Sequence, residues 1–177
     1  TLRESTLGVI GVGNVGRAIV RRAIAFGMRV LGHDIATIPS GFISETGLEV
    51  VDKDQLLNES DYVSLNCDLN SASHHIIGRA QLSQMKTSAV LINAARGPLV
   101  DEQALVQALK DGVILGAGLD VFEVEPLPAD SGLRQLNNCL MAPHNSNSSP
   151  EAYAKVHENT IRNLIDVLQE TPEGVRR

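Results

Sequence analysis

The chain is poor in cysteine: Cys67 and Cys139 are its only two in 177 residues. That excludes a disulfide-framed secreted scaffold and suits a reducing, cytoplasmic setting. No apolar run approaches the roughly 18 residues that a membrane helix needs, and no leader-like segment heads the sequence. The expectation is a protein with no membrane role. Positive charge is also lacking. Fifteen Lys and Arg stand against 21 Asp and Glu, for a net charge of −6, with an isoelectric point near 5.3. This argues against nucleic acid as a main ligand. Arg17, Arg21 and Arg22 cluster on one predicted helix and read as a solvated face. No internal repeat and no low-complexity stretch is visible. What is present is a globular composition, 43% hydrophobic and 20% charged, of a length for one domain.

The most informative stretch runs from Leu7 to Asp34. Gly11, Gly13 and Gly16 form G-x-G-x-x-G after an apolar run, and a helical pattern follows. Gly11 permits a tight strand-to-helix turn, Gly13 lets a pyrophosphate approach the backbone, and Gly16 lets the helix pack close to the strand. The free N–H groups at the helix start favour phosphate. A second apolar run ends at Asp34, 18 residues beyond Gly16, where a carboxylate can accept from ribose hydroxyls. Together these predict dinucleotide binding. A carboxylate at Asp34 repels a 2′-phosphate, and no Arg follows in Ile35-Ala36-Thr37, so NAD is expected over NADP. Capping of a turn is the plain alternative for Asp34.

Short apolar runs alternate with helical patterns, the mark of an α/β, Rossmann-type doubly wound parallel sheet. Strands are predicted near Leu7–Ile10, Arg29–Gly32, Leu48–Val51, Tyr62–Leu65, Ala89–Asn93, Gly116–Val121 and Cys139–Met141. The first helix is predicted over Val15 to Phe26, with Val15, Ala18, Ile19, Ala23 and Phe26 as its apolar stripe and Gly27 ending it. Further helices fit Lys53–Glu59, Arg79–Gln84 and Asp101–Asp111. A last helix starts at Pro150 behind Ser149 as N-cap, with Tyr153, Val156, Ile161, Leu164 and Leu168 as its stripe. Ile35–Gly47 and Phe122–Asn138 read as loops, and His74 and His75 as solvated loop residues. No linker divides the chain, so residues 1–177 are expected to form a single cofactor domain.

Ligands of such sheets lie beyond the carboxyl ends of the strands. Asp34, Cys67, Asp68, Ala94, Ala95, Arg96, Asp120 and His144 all follow predicted strands. Arg96, Glu125 and His144 suit hydride transfer to a 2-keto acid. Arg96 can hold a carboxylate bidentately. His144 can give a proton to the keto oxygen and take it back in oxidation. Glu125 can orient the imidazole and favour its protonated form. The plain alternatives are a surface pair with Asp101 for Arg96, an ordinary loop acid for Glu125 (Glu123 lies two residues away) and a cap for His144. Cys67 has no base placed to activate it and reads as packing.

The motifs INAARGPLVDEQAL, GAGLDVFEVEPLP and APH, with the glycine triplet and Asp34, make the chain resemble the nucleotide-binding domain of the D-isomer-specific 2-hydroxyacid dehydrogenases. The resemblance implies Arg96, Glu125 and His144 as the catalytic three. It implies that Asp120 and the backbone at Ala94 contact the nicotinamide carboxamide, with Ala95, Arg96 and His144 also on the cofactor side. Asn14 and Val15 would lie under the pyrophosphate, and Cys67 and Asp68 beside the adenosine. It also implies a homodimer and a small 2-hydroxy or 2-keto acid substrate. The same resemblance covers corepressors that sense NAD without catalysis, the rival reading.

Two departures stand out. Asn66-Cys67-Asp68-Leu69-Asn70 replaces the family's frequent His-x-Pro-Leu-Thr, and Asn145-Ser146 follows His144 in place of Ile-Gly. Family members are about twice as long, and here the first strand begins by Leu7. The expectation is therefore a cofactor domain without the family's substrate domain, inactive alone because its reacting groups face open solvent.

Overall fold

The apolar runs become a parallel sheet because most are short, apolar and joined to the next by a helix that packs back onto the sheet. The computed structural model describes residues 1–146 and 149–170. It forms two compact units, Thr1–His144 and Asn145–Arg177. In the first, strands β1 (Thr6–Ile10), β2 (Arg29–His33), β3 (Glu49–Val50), β4 (Tyr62–Leu65), β5 (Val90–Asn93), β6 (Gly116–Leu119) and β7 (Cys139–Met141) build one sheet. Its order is β3-β2-β1-β4-β5-β6-β7, and every pairing is parallel. The order reverses between β1 and β4, which opens a crevice at their carboxyl ends.

Helices α1 (Asn14–Ala25), α2 (Ser40–Thr46), α3 (Lys53–Glu59), α4 (Arg79–Gln84) and α5 (Glu102–Lys110) connect the strands. The side chains of β1 alternate between two cores. Leu7 and Val9 pack with Val20 and Ala23 of α1 and Phe42 of α2. Ile10 joins Leu56, Leu57, Leu82, Leu91 and Leu105 in the larger cluster. Caps fix several boundaries: Asp52 accepts from Gln55 N–H at 2.7 Å and Asp101 from Ala104 N–H at 2.9 Å.

The structure corrects the sequence reading in places. Ile35–Gly47 is not all loop, since it contains α2, whose single buried residue is Phe42. Seven residues with one apolar anchor give no period to detect. On α1 the buried face is Gly16, Val20 and Ala23, while Val15 and Phe26 are 63% and 64% exposed. Gly27 does end α1, at φ 80°. The strand expected at Leu48–Val51 shortens to two residues, the one at Gly116–Val121 stops at Leu119, and a short 3-10 turn, Gly132–Gln135, lies within the predicted loop Phe122–Asn138.

The second unit is the helix α6 (Pro150–Glu170). Ser149 caps it as expected, its Oγ accepting from Ala152 N–H at 3.0 Å. Its stripe of Tyr153, Val156, Ile161, Leu164 and Leu168 is exposed. No helix among the described residues is long and apolar enough to cross a membrane.

Candidate active site

The glycine triplet divides into two kinds of position. Gly11 takes φ 89°, and a Cβ there would stand 2.5 Å from Cys67 N. A Cβ on Gly16 would stand 2.0 Å from the Gly11 carbonyl oxygen. Both glycines let backbone pass against backbone. Gly13 differs, because a Cβ there would meet nothing within 4 Å. It faces open space in front of the first N–H groups of α1, where an anion is favoured.

That space belongs to a cleft of about 530 Å³ at the switch point. Gly11, Gly13, Asn14, Val15, Asp34, Cys67 and Asp68 line it, as does Asn66, which the sequence reading left out. Its signal was available, since Asn66 directly follows β4. Its Nδ2 donates to Ser64 O at 3.1 Å, and its N–H to Ile10 O at 2.8 Å. Asp34 has two backbone partners: Oδ2 accepts from Val12 N–H at 2.6 Å and Oδ1 from Ala36 N–H at 2.8 Å. The turn-capping alternative is thus real, but a carboxylate has acceptor capacity for more than two donors. An open phosphate cradle, a helix start and an acid beyond β2 fit a dinucleotide.

The unusual loop after β4 is well built. Asn70 Oδ1 accepts from Ala72 and Ser73 N–H, and Ser73 Oγ–H donates to Asp68 O at 2.6 Å. Burial pushes the Cys67 thiol up, with Asp34 and Asp68 adding to the effect. The thiol is therefore protonated near neutrality, and Cys67 is no nucleophile.

The second constellation lies outside that cleft, beyond the carboxyl ends of β5, β6 and β7. His144 Nδ1 stands 2.7 Å from Glu125 Oε2. Glu125 Oε1 accepts from Phe122 N–H at 3.0 Å. The His144 hydrogen bond first, and the Phe122 N–H second, hold the Glu125 carboxyl below its ordinary range, against burial and the negative Asp120. His144 has a left-handed backbone, φ 53°.

Arg96 is exposed at the end of the β5 loop. Asp101 caps α5 and has no ion pair with Arg96 among the described residues. Asn93 shapes the loop and was not foreseen as a site residue. It is 1% exposed, and its Oδ1 accepts from Ala95 N–H at 3.1 Å while its Nδ2 donates to Arg96 O at 2.9 Å. Ala94 lies between them, exposed. Asp120 is buried, and its N–H donates to Asn93 O at 2.9 Å. A Cβ on Gly97 would stand 1.9 Å from Phe122 O, so the Arg96 loop and the Glu125 turn touch backbone to backbone.

His75 lies in the expected loop and is exposed, yet it has two partners. Its Nε2 pairs with Glu123 Oε1, and its N–H donates to Pro98 O at 2.9 Å. His74, exposed, stacks on it at 3.9 Å. The two acids of Glu123-Val-Glu125 are thereby told apart by their partners.

Fold and site together define a dinucleotide-binding domain of the doubly wound class. Residues 1–146 match the family model for the D-isomer specific 2-hydroxyacid dehydrogenase NAD binding domain, and the chain belongs to that family. It is 47% identical over 160 residues to a glyoxylate reductase of Korarchaeum cryptofilum, covering 90% of this chain and 48% of that protein. Among solved structures, a glyoxylate reductase from Paecilomyes thermophila aligns over 94% of this chain and 50% of its own, with TM-score 0.87 and 38% identity. D-lactate dehydrogenase with NAD+ from Lactobacillus jensenii covers 99% of this chain and 57% of its own, with TM-score 0.85 and 32% identity. The chain spans about half the length of these curated relatives.

Proposed function

We propose that this chain is the cofactor-binding part of an NAD-dependent oxidoreductase that interconverts small D-2-hydroxy acids and 2-keto acids such as glyoxylate. The observation that carries the reading is the His144–Glu125 pair, held on the strand-end side of the sheet that also presents Arg96 and the open cradle at Gly13. The reductase names of the relatives favour turnover over the non-enzymatic NAD-sensing reading.

Gly13, Asn14 and Val15 would hold the pyrophosphate, Asp34 the adenosine ribose, and Cys67 and Asp68 the adenosine side. Asp120 and the Ala94–Ala95 backbone would hold the nicotinamide carboxamide, near Arg96 and His144. When bound, the nicotinamide supplies or receives the hydride. Arg96 clamps the substrate carboxylate through its planar fork. His144 Nδ1–H donates to Glu125, which assigns the exchangeable proton to Nε2. In reduction that proton passes to the keto oxygen, and in oxidation Nε2 takes the hydroxyl proton. Glu125, held ionised, fixes the imidazole ring by accepting from Nδ1–H.

The substrate domain would lie outside residues 1–177, and the protein would be a cytoplasmic homodimer. The test has two arms. Calorimetric titration of this chain with NADH and NADPH should show saturable binding that favours NADH. The full-length protein should oxidise NADH with a 2-keto acid, whereas this chain alone should show negligible turnover. NADH binding without turnover by the full-length protein would overturn the enzymatic reading.

A further inference from the structure

We propose that His75 is a positioning residue that locks the Arg96 loop to the Glu125 turn, and so sets the geometry of the His144–Glu125 pair. The inference deepens the hydride-transfer reading and rests on it for its kinetic consequence only.

His75 lies on the segment between β4 and α4, next to Ser73 and Ile76 of the cleft lining. It makes two contacts that join the Arg96 loop to the Glu125 turn. Its N–H donates to Pro98 O at 2.9 Å, two residues beyond Arg96. Its Nε2 pairs with Glu123 Oε1, two residues before Glu125. Neighbouring bonds continue the first seam: Ile77 N–H donates to Leu99 O at 3.1 Å, and Asp101 N–H to Ile77 O at 3.0 Å. The Glu123 turn is fixed from the other side as well. Glu123 N–H donates to Glu102 Oε2 at 3.3 Å, and Ser131 Oγ–H to Glu102 Oε1 at 3.2 Å.

The backbone at His75 gives a second reason. Among the described residues, the non-glycine positions with positive φ are His75, at 51°, and His144, at 53°. A left-handed backbone under a side chain persists only where its surroundings fix it. The two histidines pair with the two acids of one turn, His75 with Glu123 and His144 with Glu125. The charged and titratable groups facing the latch are Glu123, Glu102 and the stacked His74, while Asp120 faces Glu125.

Catalysis tolerates little misplacement of an acid–base pair, so a latch on the supporting turn acts through Glu125 and not on substrate. Releasing Glu123 lets the turn drift and weakens the Glu125 hold on His144.

The test uses the full-length protein carrying His75→Ala, His75→Gln or Glu123→Leu. The readouts are the NMR resonance of the His144 Nδ1–H proton without cofactor, the NADH Kd, and kcat with KM. His75→Ala should move that resonance upfield as the bond to Glu125 lengthens and lower kcat about tenfold, with the NADH Kd unchanged. His75→Gln keeps a donor within reach of Glu123 and should recover most of both. If His75→Ala does not fold, Glu123→Leu carries the same comparison, because it keeps side-chain size and removes the acceptor. An unmoved resonance in a folded His75→Ala or Glu123→Leu protein would overturn the latch. A wild-type protein that binds NADH but reduces no 2-keto acid would sink the hydride-transfer reading alone, since the His144 resonance needs no turnover.

Discussion

Asp34 reaches back 22 residues to the glycine turn, where its Oδ2 accepts the Val12 N–H at 2.6 Å. The acid proposed to set the cofactor preference therefore also braces the glycine turn. Two substitutions separate these duties. Asp34→Asn keeps an acceptor for Val12 but loses the charge that repels a 2′-phosphate. The Kd ratio of NADPH to NADH should fall at least about tenfold with little loss of stability. Asp34→Ala loses both and should also cost about 1–3 kcal/mol. Calorimetry and thermal melts read the two effects, and an unchanged ratio in both variants refutes the selective role of Asp34.

The glycines at 13 and 16 should respond in opposite ways. A methyl group on Gly13 enters open space, so Gly13→Ala should melt within about 2 °C of wild type while weakening NADH binding. On Gly16 it meets the Gly11 carbonyl at 2.0 Å. Helix α1 must shift, at about 1–3 kcal/mol, and binding falls with stability. Equal losses of stability in the two variants would contradict this division.

Asn93 offers a prediction that the sequence alone did not. Its side chain bonds Ala95 N–H and the Arg96 carbonyl from a buried position. Asn93→Ala leaves both groups without that partner and should cost about 1–3 kcal/mol. In the full-length protein it should raise KM for the 2-keto acid about tenfold while the NADH Kd stays constant, because only the Arg96 loop is loosened. A parallel rise in both constants would place the fault in the whole sheet edge.

For His144 and Glu125 the expectation is kinetic. His144→Asn should lower kcat by about 10²- to 10⁴-fold with NADH affinity retained. Glu125→Gln removes the carboxylate paired with His144 Nδ1 and should lower kcat about tenfold at an unchanged NADH Kd. An unchanged kcat would mean that Glu125 does not position His144.

The pH dependence of stability can be read at Asp61. Its carboxyl accepts from Lys86 Nζ and from the Thr6 N–H, each at 2.8 Å. These bonds, Lys86 first, hold it below its ordinary range. A carboxyl depressed in the folded state stabilises fully above its unfolded value of about 3.9, and the contribution is lost as pH falls through the folded value. Asp61→Asn should therefore destabilise at neutral pH by about 1–2 kcal/mol and flatten the loss of melting temperature between about pH 6 and pH 3. An unaltered acid slope would show that Asp61 has no share in it.

Much of this protein was legible in the chain. Alternating short apolar runs and helical periods, with Ser149 as a cap, located seven strands and most helices. Those signals act within a few residues of one another. The glycine triplet was equally legible, because Gly11 and Gly16 answer to steric limits that no other residue meets. Helix α2 was hidden for the converse reason: its seven residues present one buried anchor, Phe42.

The sequence by itself determined the class of fold and pointed to the glycine turn and to Arg96, Glu125 and His144 as candidates. Only the tertiary structure decided which partner each group finds. Glu123 and Glu125 are near-equivalent in sequence, yet one meets His75, 48 residues away, and the other His144. Asn93 and Asn66 gain their duties only once β5 and β4 end beside the loops they brace. The reason is physical: local conformation follows short-range sterics and hydrogen bonding, whereas long-range pairs exist only after strand order brings distant loops to one edge.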